Sequence, residues 1–431
     1  MIAFIIFLIT SLLIILSFFF YPKIKISKYE FSSYWIIAII GAILSLIFKQ
    51  ITFNQIFSSL VNESSMNPTK LIVIFICMAV LSLYLDEIGF FKYLANIVIK
   101  KFNRSKWQLF FGLYSIVAIL TVFTSNDVII LTLTFFIIYF SKNAKINPIP
   151  FLFAEFIAAN TLSILLIIGN PTNMYLSSIN NISFISYFKV MILPTIATLI
   201  SSLTVLSIMF RKELNTKIEH IETSELKVER YSLILGLVTL FGALIFLTIS
   251  NYLKIEMWVI TLFFLIVLSI LSNLNINSRI GFNKSIKRAP WNFIPFLISM
   301  FIIIISLDNN GITSIFSKML GTKNPIFVYG FSSALMGNLM NNIPMSIFYG
   351  SVISNTSILI QKQAIYASII GSNLSALFTP LGSLAGLMWL ETLKKEEINL
   401  KFKEFIIRGS IVALVTLFFA LVTLKIVLWK N

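Results

Sequence analysis

The sequence predicts an all-α polytopic membrane protein, built as two inverted repeats of five transmembrane helices plus one re-entrant hairpin each, with broken helices at the midplane. Three observations predict it: apolar blocks of spanning length, a charge pattern that assigns their ends to sides, and a series of polar motifs that occurs twice. The composition sets the class. Of 431 residues, 58% are hydrophobic and 12% charged, with mean hydropathy +0.94. Soluble domains carry about 25% charged residues, and a helix needs about 20 apolar residues to cross a bilayer.

Apolar blocks fall near 1–20, 32–48, 69–86, 107–124, 127–140, 150–168, 187–210, 231–250, 255–273, 291–307, 325–340, 343–354, 364–381 and 408–428. The first block lacks a basic n-region and a small-residue cleavage site, so it is read as a membrane helix and not as a signal peptide. Blocks 107–124 and 127–140 are separated only by Ser125-Asn126, and blocks 325–340 and 343–354 only by Asn341-Asn342. So polar and short a tip fits a re-entrant hairpin whose irregular backbone is surrounded by protein or a wet cavity. The hairpins are expected at about 107–140 and 325–354, and the broken helices at about 150–173 and 364–393.

Charge gives the sides. With both termini outside, roughly 24 of the basic residues fall in cytoplasmic loops, as the positive-inside rule requires. They include Lys23, Lys25 and Lys28; Lys92 to Lys106; Lys142 and Lys145; Arg279 to Arg288; and Lys394 to Arg408. The bias holds only if both hairpins return to the side they left, the first opening to the cytoplasm and the second outward. Ten spanning helices result. Residues 1–210 form the first repeat, 211–230 a cytoplasmic linker and 231–431 the second repeat, in the plasma membrane.

The same composition excludes other classes. The net charge of +16 sits in short loops, which fits topology and anionic headgroups and not nucleic acid. Cys77 is the only cysteine and His220 the only histidine, so a thiolate or histidine metal site is not expected, nor any cofactor. No G-x-x-x-x-G-K-[ST] loop occurs, and no acid–histidine cluster lies in the apolar blocks, so an enzyme is not expected.

The repeat shows in Leu85-Asp86-Glu87-Ile88-Gly89 and Leu307-Asp308-Asn309-Asn310-Gly311. Each is followed by a polar tip, Ser125-Asn126-Asp127 or Asn341-Asn342. Asn160 and Gly169-Asn170 then match Asn373 and Gly382-Ser383, at an offset of about 213 to 222. Five spans per half invert the second half. Tips and breaks should meet near the midplane, where amides, carbonyls and half-helix ends bind a hydroxylated or oxyanionic solute and a coupling cation or proton.

The candidate binding residues are Ser125, Asn126, Asp127, Asn160, Thr161, Gly169, Asn170, Asn173, Asn341, Asn342, Ser372, Asn373, Thr379, Gly382 and Ser383. Intramembrane acids are expensive and functional by default. Asp127 is therefore the first candidate for coupling, and Glu155 the second. Glu155 comes early in its block, which also fits a place near the cytoplasmic surface. Asp86 and Asp308 end apolar blocks and are expected to fix interfacial turns. The plainer role of Ser125, Asn126, Asp127 and Asn342 is to cap the half-helices that follow. For Asn160 and Asn373 it is helix packing.

Together, Leu85 to Phe90, Ala289-Pro290-Trp291-Asn292, Asn310-Gly311-Ile312-Thr313, Met340 to Pro344, and above all the run Ile370 to Leu390 resemble the arsenite/antimonite efflux permeases. These belong to the ion transporter superfamily, with divalent-anion/sodium symporters and sodium/proton antiporters. The resemblance covers nearly the whole chain. It implies extrusion of trivalent arsenic or antimony hydroxides against protons, in some members with a soluble ATPase partner. The permeases usually carry Asp at the places of Asn160 and Asn373, Ala-Asn-Asp-Gly for Ser125-Asn126-Asp127-Val128, and Pro-Lys for Ala376-Leu377. Gly169 to Asn173 looks more like the wider superfamily, which keeps sodium and anions open as coupling ion and substrate. The expected partners are the bilayer, the small solute and a second copy of the chain.

The hairpin topology is tested by labelling single cysteines placed in 101–106 and 142–145 from either side of the membrane. Both are expected to react from the cytoplasmic side; opposite sides would remove the first hairpin.

Overall fold

A computed structural model describes residues 1–21, 23–26, 29–61, 67–102, 105–216 and 227–430. Expectations for Pro22, Lys28, Arg104 and residues 217–226 of the linker, His220 included, lie outside the described residues. Regular structure among the described residues is helical, except for an antiparallel ribbon pairing Lys23–Ile26 with Tyr29–Ser32, which the all-helical expectation missed.

Among the described residues, six helices are long and apolar enough by length and composition to cross a membrane: Pro68–Glu87, Lys106–Phe123, Phe184–Met209, Arg230–Leu253, Ile276–Asn309 taken with its break, and Phe402–Trp429. Four shorter apolar helices join them, Ile2–Ser17, Ser33–Ile47, Ile149–Leu162 and Met257–Ser272. The structure is that of a multi-pass membrane protein.

Local signals set the ends. Asn67 accepts from the Thr69 amide at 2.9 Å ahead of Pro68, and Ser105 from the Gln108 amide at 3.2 Å; each satisfies an amide that has no partner within its helix. The loops after the Leu-Asp-x-x-Gly motifs are not plain turns. Gly89 and Gly311 take left-handed backbone, at φ 83° and 70°, and each starts a short amphipathic helix, Phe90–Lys101 and Ile312–Leu320. Only glycine adopts that conformation freely. Phe53–Val61 and Ile276–Arg288 are likewise helical where loops were expected: apolar residues at helical spacing were too few to register as blocks.

Both pairs of closely spaced blocks form helix–tip–helix units. Lys106–Phe123 and Asn126–Asn143 meet at Thr124-Ser125, and Pro325–Met340 and Asn342–Ser354 meet at Asn341. Both expected breaks occur. Ile149–Leu162 ends, a 3-10 turn covers Ile167–Gly169, and Pro171–Ser178 continues; Ile358–Phe378, Pro380–Gly382 and Leu384–Lys395 follow the same plan. Among the described residues, the most extensive helix–helix contact is that of Pro325–Met340 with Ile358–Phe378. A Cβ on Gly371 would stand 2.3 Å from the Gly330 carbonyl oxygen and 2.9 Å from the Ala334 nitrogen. Small residues let backbones approach where lipid removes the hydrophobic drive for association.

Gly371→Leu should therefore destabilise the protein by about 2 kcal/mol or more, through overpacking against backbone. The check is thermal unfolding in detergent; an unchanged melting temperature would contradict this packing.

Candidate functional site

The breaks are built from backbone and short polar side chains. At the first, a Cβ on Gly169 would lie 2.2 Å from the Ser163 carbonyl oxygen; at the second, one on Gly382 would lie 2.6 Å from the Ser375 carbonyl carbon. Each chain folds back onto the helix it has just left. The following half-helix is capped in both cases. Asn170 Oδ1 accepts from the Thr172 amide at 3.1 Å, and Ser383 Oγ from the Gly386 amide at 3.0 Å.

Asparagines then tie the pieces together. Asn373 Nδ2 donates to Asn173 Oδ1 at 2.7 Å and to the Ile369 carbonyl at 2.8 Å, while its Oδ1 accepts from Ser163 Oγ at 2.8 Å. Asn173 Nδ2 donates to the carbonyls of Ser163 (2.8 Å) and Leu166 (3.1 Å). One side-chain cluster thus closes the first break and fastens it to the second broken helix. Asn160 Nδ2 donates to the Phe156 carbonyl at 2.8 Å, and its Oδ1 accepts from Asn126 at 3.4 Å, joining the first tip to the first broken helix.

At the second tip, Asn341 takes φ 71°, unusual for a side chain with a Cβ. Its Oδ1 accepts from the Ile343 amide at 3.4 Å and its Nδ2 donates to the Leu381 carbonyl at 3.3 Å. The cap there is Asn341 and not Asn342, and Ser125 makes no side-chain cap bond at the first tip. Asn126 Oδ1, Asn342 Oδ1 and Ser372 Oγ are buried without a partner. An unpaired buried acceptor is expensive, and two of these three stand at corresponding tip positions. Thr161 Oγ1 is spent on the Ile157 carbonyl at 2.7 Å.

A cavity of about 850 Å³ reaches the first tip. Ser125, Asp127 and Ile343 line it, together with Leu384, Leu387 and Met388 of the second broken helix. Lys23, Lys287, Arg288 and Lys394 also line it, all from segments that the charge pattern assigns to the cytoplasm. The structure therefore sorts the candidates. Ser125 and Asp127 line the cavity, whereas Asn126, Asn160, Thr161, Asn170, Asn173, Asn341, Asn342, Ser372, Asn373 and Ser383 are buried and do not line it. Thr379 is half-buried and donates to Asn338 Oδ1 at 2.7 Å.

Glu155 is not at a surface. It is 1% exposed, and Thr134 Oγ1 lies 2.9 and 3.0 Å from its two oxygens. Glu155 stands six residues into Ile149–Leu162, a helix buried on every side from Pro150 onward. Asp86 does fix an end: Arg288 contacts both it, at 2.8 Å, and Glu87. Asp308 receives the Thr313 hydroxyl and the Asn355 amide.

Sequence reasoning missed Asn338, which donates to the Ser375 carbonyl at 3.0 Å, and Ser163. An amide inside apolar block 325–340 was a usable signal for the first. Ser163 had none, since its counterpart at the repeat offset is Ala376.

A bundle of apolar helices with two broken helices and a cavity that reaches a polar tip fits a membrane transport protein. The family model described as citrate transporter (CitMHS) matches residues 12–371, and the chain belongs to that family. It is 27% identical over 370 residues to the arsenical pump membrane protein of Escherichia coli (strain K12), covering 82% of this chain and 85% of that one. The like-named protein of Yersinia enterocolitica is 28% identical over 371 residues, with the same coverage. The motif resemblance to arsenite/antimonite permeases is thereby borne out. In fold alone, the chain is similar to the Alcanivorax borkumensis YdaH transporter, whose crystal structure is described as having an unusual topology, with TM-score 0.58, 11% identity and 98% of each chain covered.

Asn373→Ala should lower stability by about 1–3 kcal/mol by leaving Ser163 and Asn173 without their partner. The check is the melting temperature beside Asn160→Ala, which removes a bond within its own helix and one 3.4 Å contact to the tip and should shift it less.

Proposed function

We propose that this chain is a secondary active transporter of the arsenite/antimonite efflux type, exchanging a small oxygen-rich solute for protons by alternating access. The observation that carries the reading is the cavity that joins a basic face to Ser125 and Asp127 at the first tip. A solute such as As(OH)3 is neutral, so it enters a low-dielectric site without the penalty a charge would meet. Its hydroxyls need donors and acceptors, and the two unpaired tip amide oxygens supply acceptors just behind the cavity wall. Asp127, in the first turn of its half-helix, sits where a helix N-terminus favours a carboxylate and where cavity water delivers a proton. It is the coupling residue of this reading.

The two halves, 1–210 and 231–431, are read as inverted repeats joined by the 211–230 linker, with both termini outside the plasma membrane. The recurring order of span, left-handed glycine, amphipathic helix, helix–tip–helix and broken helix supports this. Alternating access then exposes the tips to either side in turn. A homodimer, and an ATPase engaged from the cytoplasm, belong to the same reading.

One observation favours a second reading, a sodium-coupled carrier of inorganic or carboxylate anions or a sodium/proton antiporter of the same superfamily. The matched family is described as citrate transporter, and four basic side chains line the cavity. Arg288 is already engaged by Asp86 and Glu87, which weakens it as an anion ligand.

Flux into proteoliposomes under imposed proton or sodium gradients separates the readings. Arsenite flux driven by the pH gradient is expected, and Asp127→Asn should reduce it about tenfold or more, equivalent to at least about 1.4 kcal/mol. Sodium-dependent anion flux without arsenite movement would establish the second reading instead.

A further inference from the structure

Glu155 does not line the cavity, yet it touches the helix that walls it. It projects from Ile149–Leu162 toward Thr134 on the return arm of the first hairpin. Trp389, on Leu384–Lys395, packs on the neighbouring Phe156, which brings its indole near the same carboxyl. Trp389 is fully buried, its ring 4.8 Å from that of Phe156, and its N–H makes no hydrogen bond. The adjacent Leu387, Met388 and Leu390 line the cavity. One short helix thus presents Trp389 to Glu155 on one side and the cavity wall on the other.

A proton count around the carboxyl gives one self-consistent arrangement. A threonine hydroxyl has one proton to donate. Thr134 Oγ1 lies 2.6 Å from the Ile130 carbonyl, a group that can only accept. With the hydroxyl proton spent there, the contact from Thr134 to Glu155 needs a proton on the carboxyl. The unbonded Trp389 N–H fits the same state, since an ionised carboxylate at that place would take it.

We infer that Glu155 is a proton-controlled latch for the helix Leu384–Lys395. Ionised, it accepts from both the Thr134 hydroxyl and the Trp389 indole and clamps the cavity wall to the first hairpin. Protonated, it donates to Thr134 and releases Trp389. The proton comes from, and returns to, water that reaches the carboxyl when the helix moves away.

Charged groups on the surrounding helices are engaged elsewhere. Asp127, Glu391 and Lys394 line the cavity. Lys142 pairs with Glu396, Lys395 with Glu391 and Arg408 with Glu404. Lys106 bonds Thr216, and Lys189 and Lys362 are exposed. Tyr114 bonds Ser202 and Tyr187 the Ile164 carbonyl, while Tyr366 packs on the Tyr187 ring. Glu155 is a positioning residue that acts through Trp389, and its role as a latch rests on the cavity being the solute path.

The test is amide hydrogen exchange of segment 384–395 in the full chain, without solute. Wild type and Glu155→Gln are compared at each pH, so that intrinsic exchange rates cancel. At about pH 9, wild type should exchange about fivefold or more slowly than the variant, and at about pH 5 the two should coincide. Trp389→Phe should likewise exchange faster than wild type only at high pH, and it carries the comparison if Glu155→Gln does not fold. A wild-type to variant ratio that is the same at both pH values overturns the latch. Because no transport is measured, a flat ratio in a chain that moves arsenite sinks the latch alone. A pH-dependent ratio in a chain that moves no arsenite leaves the proton-controlled clamp on the helix standing and removes the arsenite reading.

Discussion

The structure depends on one constraint: backbone released from a helix inside a membrane must find partners within the protein. Two tips and two breaks release such groups, and lipid offers none. The answer is the same at all four places. A short amide or hydroxyl side chain caps the next half-helix or bridges to the next segment, with Asn170, Ser383 and Asn341 as caps and Asn160, Asn173 and Asn373 as bridges. Polar residues that would read as a binding pocket are thus first a scaffold for irregular chain. Acceptors left over at the tips, on Asn126 and Asn342, remain for a guest.

The scaffold is also shared between the halves. Pro171–Ser178, after the first break, packs against the return arm of the second hairpin, and Leu384–Lys395, after the second break, packs against that of the first. Neither half could shift its tip without disturbing the other's broken helix. The Asn173–Asn373 bond fixes this exchange at the centre.

Much of this was legible in the sequence, because each feature rests on a local signal. Ser125-Asn126 and Asn341-Asn342 are too short and too polar for anything but tips, and Gly-Asn-Pro and Thr-Pro-x-Gly cannot continue a helix. What stayed hidden depended on direction. Sequence position could not say that Asp127 faces the cavity while Asn126 beside it turns to Asn160. Nor could it say that Glu155 lies in the interior, because depth follows from how neighbouring helices tilt. The amphipathic helices after Gly89 and Gly311 were missed for a different reason: their apolar faces are narrow, and hydropathy alone averages them away.

The tight Gly- and Ser-lined contact between Pro325–Met340 and Ile358–Phe378 bears on biogenesis. The first helix of the second hairpin packs more extensively on that later segment than on its own hairpin partner. A ribosome delivers it before the surface it fits exists. The nascent chain must hold an incomplete loop, its Asn341 apex unsatisfied, until the next stretch has left the translocon. Insertion of this hairpin is therefore completed from its C-terminal side, late in synthesis.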